Sequence, residues 1–183
     1  MNETKDNQTG VRVVAIKADG TKLDVPIQGT PADIVDATER TIVVAGDGGV
    51  VTAGKRGAAI AGFQGQATAL GSGGLAYVLG GTATALQDGG IAIAATGGMA
   101  TGAQLAYTVN SGKSIAYGGT IAIAINARGA WDATAQASTG GLLIFGYEDQ
   151  GTVKYVPVPV DGRIIKGNTP YKLDSARHTA VKA

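Results

Sequence analysis

The stretch GDGGVVTAGKRGAAIAGFQGQATA, Gly46 to Ala69, divides into three lines of eight residues: GDGGVVTA, GKRGAAIA and GFQGQATA. Each line has glycine first and fourth and alanine last. A glycine pair and small residues on an eight-residue period restrict the chain to a repetitive architecture, in which each unit buries its face against the next. Within a line, alanine or another small residue alternates with Thr, Ile, Gln, Tyr or Val, and a period of two is the period of a strand. Short strands punctuated by glycine turns predict stacked coils. The expected fold is all-β, a β-solenoid (β-roll or β-helix) of Gly/Ala-rich octads. Its corner glycines supply positive φ or close backbone approach.

The pattern continues to about Thr139 through cores such as LAYVL, TATAL, IAIAA, LAYTV and TIAIAI. GQATAL and GTATAL lie sixteen residues apart, as do Gly74 and Gly90, so the unit is a pair of octads. About sixteen residues per coil makes five or six coils, a rod roughly 25–30 Å long. Its interior has room for methyl groups, each worth roughly 0.8 kcal/mol when buried. Glycine supplies 30 of 183 residues and aromatics only 5%, with two Phe and one Trp, so large side chains cannot fill a conventional core. A rod this thin is expected to pack side by side with copies of itself, a trimer being favoured.

The flanks read differently. Residues 1–10 form a polar leader without the apolar run of a secretory signal, and a disordered one is expected. Residues 11–45 read as an N-terminal β-hairpin cap: VRVVAIK and TKLDVPI joined at Asp19-Gly20. Within that cap, PADIVDATER (Pro31 to Arg40) reads as one helical turn, with Thr30 as N-cap. The solenoid spans 46–139. Residues 140–174 read as a C-terminal β cap, with LLIFGYE and TVKYVPVPV joined at Asp149-Gln150-Gly151 and a further turn at Asp161-Gly162. The large residues Phe145, Tyr147, Tyr155 and Tyr171 gather here. Residues 175–183 read as a flexible tail.

These octads, and the segment GGLLIFGYEDQGTVKYVPVPVDGRIIKGNTPYKLD behind them, resemble a family of octapeptide-repeat proteins from phages, prophages and gut bacteria. The likeness covers roughly residues 46–174, and the C-terminal hairpin module is its more specific part. The repeats drift after Leu70, and the first 40 residues depart from the family pattern. A fainter likeness runs to the β-roll heads of trimeric adhesins. The resemblance implies a β-solenoid in a phage or prophage setting, and carries over no catalytic residue.

The chemistry-bearing residues are sparse. The net charge of +1 supplies no global field for nucleic acid or an anionic membrane, and there is no cysteine. The uncharged runs Gly57 to Gln87 and Gly89 to Gly112 are long enough to span a bilayer, but Gly-Gly, Thr, Ser and Gln interrupt them, and no membrane span is expected. The single histidine, His178, lies in the tail, so a histidine-based triad has no base within the repeat. Asp47, Asp88 and Asp132 are about forty residues apart, too far for a carboxylate ladder on neighbouring coils. SGKS at Ser111 to Ser114 lacks the upstream glycine of a phosphate loop and reads as a corner. No enzyme activity, metal or cofactor is expected.

Candidate binding or interface residues are the aromatics Tyr77, Tyr107, Tyr117 and Trp131 and the cations Lys55, Arg56 and Arg128, with Lys113 the remaining cation of the repeat. The aromatics read either as fillers of corners and subunit seams or as a stacking stripe. Thr68, Thr82, Thr84 and Thr120 do not build a T-x-T on every coil, which counts against an ice-binding ladder.

The expected function is a structural or interaction protein, an oligomeric β-solenoid such as a virion decoration or fibre component. The partners are copies of itself and other virion or host proteins, in the virion or the host cytoplasm. One alternative is an intracellular phage protein that sequesters a nucleotide signal, or blocks a host defence protein, at seams carrying Lys55, Arg56, Tyr and Trp. The other is a surface adhesin head.

Overall fold

The computed structural model describes residues 12–16, 22–26, 33–36, 42–117, 120–126 and 131–183. All regular structure among them is β, and the parallel strands stack into a β-solenoid of about five turns. The N-terminal strands are β1 (Arg12–Ile16), β2 (Lys22–Pro26), β3 (Asp33–Asp36) and β4 (Ile42–Val44). Next come β5 (Val50–Ala53), β6 (Ala58–Ala69), β7 (Leu75–Ala85), β8 (Ile91–Ala94) and β9 (Met99–Gly102). β10 (Leu105–Val109), β11 (Lys113–Ala116), β12 (Ile121–Asn126), β13 (Thr134–Ala137) and β14 (Leu142–Asp149) follow. β15 (Thr152–Pro159), β16 (Tyr171–Leu173) and β17 (Ala180–Lys182) end the chain.

The coils build two parallel ladders. The first runs β4, the start of β6, the start of β7, β8, β10, β12 and β14. The second runs β3, β5, the end of β6, the end of β7, β9, β11 and β13. β6 and β7 pass through a corner and belong to both, with an irregular register between Phe63 and Gln66. Each coil therefore takes two octads, one on each sheet.

The strand alternation sets the inside. Ala59, Ala76, Ala92, Ala106 and Ala122 form one inward column, and all are fully buried. Ala67, Ala83, Ala100 and Ala135 occupy the matching column of the second sheet, with Ser114 between the last two. Two interior hydroxyls satisfy each other: Thr108 Oγ1 and Ser114 Oγ lie 2.8 Å apart, and Ser114 also donates to the Ile123 carbonyl. Valines take inward positions at Val43, Val51 and Val78, and the largest buried side chains, Leu143 and Phe145, lie at the C-terminal end.

The third and fourth octad positions of each corner do different work. The third octad position is left-handed, and glycine is not obligatory there: Gly48 has φ 70°, but Arg56 has φ 54° and Gln64 has φ 58°. The fourth position has no room for a side chain. A Cβ on Gly81 would lie 2.0 Å from the Gly65 carbonyl oxygen of the preceding coil. Close stacking of backbones thus explains the glycine at the fourth position.

At the C-terminal end, β15 pairs antiparallel with the outer edge of β14. β16 does the same on β13, and β17 on β16. Asp161 Oδ1 accepts the N–H groups of Arg163, Ile164 and Ile165, which folds the DGRIIK loop around its carboxylate. These bonds, that from Arg163 foremost, hold the Asp161 carboxyl below its ordinary range. Tyr171 and Leu173 point into the core, and the Tyr171 hydroxyl accepts the Lys166 N–H.

Two sequence expectations are corrected. Residues 33–36, assigned to a helical turn, form a strand parallel to β5, because the ladder satisfies their backbone in a way one isolated turn cannot. Coil pairing therefore begins before Gly46. The tail assigned as flexible carries β17, and Asp174 caps the turn before it by accepting the N–H groups of Ala176 and Arg177. The 1–10 leader and the Asp19-Gly20 turn lie outside the described residues. β1 and β2 pair antiparallel, and β1 meets β4 at Ile16 and Ile42.

Candidate interaction face

The residues that alternate with the inward alanines face outward, and the two sheets differ there. On the first sheet one outward column is Ile42, Ala58, Leu75, Ile91, Leu105, Ile121 and Leu142. The neighbouring column is Val44, Ile60, Tyr77, Ile93, Tyr107, Ile123 and Ile144. None of these side chains is charged. Seven strands at about 4.8 Å spacing, each four residues wide, make roughly 30 by 13 Å of apolar surface, in the range of the largest patches on ordinary monomers. Burial raises the Tyr107 phenol above its usual pKa, with a smaller contribution from Tyr155, so it stays neutral within this face.

The second sheet has a more polar exterior, interrupted by Val50, Met99 and Ile115. Thr52, Thr68, Thr84 and Thr101 stand in register on successive strands. Beside them run Val50, Gln66, Thr82, Met99, Lys113 and Thr134. Thr82 is the one threonine among the first four of that second column, so the T-x-T array stays incomplete.

The sequence-nominated residues scatter. Tyr77 and Tyr107 share one column of the first sheet, two coils apart, with Ile93 between them. Lys55 and Arg56 are exposed at the corner between β5 and β6, where Arg56 takes the left-handed position. Tyr117 is exposed at a corner beside Leu86, Asp88 and Gln104. Trp131 is half-buried at the C-terminal end, and Arg128 lies outside the described residues. The structure thus unites two of the tyrosines in one column and places Lys55 and Arg56 at a corner outside it.

Sequence reasoning passed over two features. His178 stacks on Tyr147 at 4.3 Å between ring centroids, and Trp131 packs against Tyr147 at 5.7 Å, so the C-terminal turn is held onto the last coil by aromatic contact. Phe63 is the second: it stands at an octad corner where the two preceding octads carry Asp47 and Lys55, and it leaves its ring exposed. Its signal was the one aromatic at the second position of the three regular octads. Asp47, considered for metal ligation, accepts the Phe63 N–H at 2.7 Å and so serves the coil beneath. No group of three metal-ligating side chains occurs among the described residues, and no helix among them is long and apolar enough to cross a membrane. No protein family, curated protein or solved structure matches the chain.

Proposed function

We propose that this protein is a non-catalytic structural or interaction protein that assembles side by side with copies of itself, as a decoration or fibre component of a phage virion. The observation that carries the reading is the outer face of the first sheet: fourteen outward positions on seven consecutive strands, filled by Ile, Leu, Val, Ala and Tyr. A surface of that extent and without charge is matched by another copy of itself, because neither side must desolvate an ion. End-to-end growth is disfavoured at one end. There β15 carries Pro157 and Pro159, which have no N–H to offer a further strand. The resemblance of the octads and of the C-terminal module to phage repeat proteins supports the virion setting.

Sedimentation velocity and native mass spectrometry of the purified protein test the assembly. A closed oligomer, a trimer favoured, is the expected result, and a monomer at tens of micromolar would sink it. The virion setting predicts a fixed copy number in purified particles.

A further inference from the structure

At the corner where β6 and β7 turn from the first sheet to the second, a groove of about 610 Å³ runs along the rod axis. It is lined by the same corner of four successive coils: Phe63 and Gln64, then Gly80 to Thr82, then Thr96 to Met99, then Ser111 and Lys113. Three coil spacings make it roughly 14 Å long. The groove exists because its floor is glycine. Gly81 and Gly98 have no room for a Cβ, and a Cβ on Gly80 would lie 3.0 Å from the Phe63 ring. The ring therefore packs against a bare backbone with 47% of the residue exposed. Its backbone is held by the Asp47 carboxylate.

We propose that this groove binds an extended oligosaccharide of about three residues along the rod axis. Its first sugar ring stacks on Phe63, and an acidic substituent at the far end meets Lys113. The C–H face of a pyranose matches a flat, exposed aromatic ring, and its hydroxyls match the amide and hydroxyl groups of Gln64, Thr96 and Ser111. All three of those residues are exposed. The rise of one coil is close to the length of one sugar residue in an extended chain, so each ring meets an equivalent corner.

The competing ligands fit less well. A peptide strand needs an unpaired sheet edge, whereas here β6 and β7 already pair with neighbours on both sides, Phe63 with Gly80 among them. A nucleic acid needs a run of cations, and Lys113 is the one charged residue of the lining. The site is separate from the apolar face and does not depend on the oligomer.

The test is titration calorimetry of the full chain with three probes: hexagalacturonate, cellohexaose and chitohexaose. Hexagalacturonate is expected to bind most tightly. Phe63→Ala and Phe63→Leu should each weaken that binding at least tenfold while circular dichroism and oligomeric state stay unchanged. Lys113→Ala should equalise the acidic and neutral probes. No heat from any probe at millimolar concentration overturns the proposal, as does wild-type affinity in Phe63→Leu. Equal binding of acidic and neutral probes by the wild type overturns the role given to Lys113.

Discussion

The two sheets are wound from the same coils and enclose the same alanine interior, yet one presents Ile, Leu and Tyr to the outside and the other Thr, Gln and Lys. Interior and exterior of a strand are set independently, because alternate side chains never meet. The shared interior therefore serves coil stacking alone, and the outer faces are free to diverge. One outer face is apolar and the other is largely polar.

Breaking what the sheets share should have the largest effect. Ala59 is fully buried on the first sheet, and Ala59→Lys places an ammonium in a methyl-sized space with no counter-charge. The cost is several kcal/mol, and loss of the folded state by circular dichroism is expected. A normally melting variant would refute the inward column. A matched pair of exterior variants sharpens the difference between the faces. Ile93→Glu on the first sheet should convert the proposed oligomer to monomer in sedimentation velocity. Thr84→Glu, at an equivalent outward position on the second, should leave it intact. Equal effects of the two would erase the distinction drawn between the faces.

A smaller effect belongs to the hydroxyl pair in the interior, Thr108 and Ser114. Ser114→Ala leaves the Thr108 hydroxyl without its partner and should lower stability by about 1–3 kcal/mol, read by urea unfolding. The smallest concerns the C-terminal end. The folded pKa of Asp161 lies below its unfolded value, so its stabilisation is fully present above the unfolded pKa of about 3.9 and is lost as pH falls through the folded one. Thermal melts from about pH 6 to pH 2 should show a steeper acid decline for the wild type than for Asp161→Asn, the two curves converging at the acid end.

Much of the fold was legible because its signals are local. The octads announce strands, corners and an alanine interior, and the sixteen-residue spacing of GQATAL and GTATAL reappears as Gln66 paired with Thr82. The cap signals Thr30 and Pro31 misled because pairing with β5 outweighs the weak preference of four residues for a turn. The tail misled because TAVKA is too short to signal a strand by itself, and β16 supplies its partner. Among the nominated aromatics, Tyr77 and Tyr107 align because each follows an inward alanine within a strand. Tyr117 repeats the same tripeptide pattern but falls one residue past β11, at a corner.

By itself the sequence determined that the chain is β, that its interior is lined with methyl groups, and that backbones approach closely at every eighth residue. Those follow from alternation and glycine spacing within a few residues. Tertiary structure decided which side chains become neighbours. With two octads per coil, alternate lines fall on opposite sheets, so AAIA, LAYV and IAIA gather on one face and VVTA, QATA and TATA on the other. That sorting depends on the register between coils about sixteen residues apart, a long-range pairing that no single octad encodes.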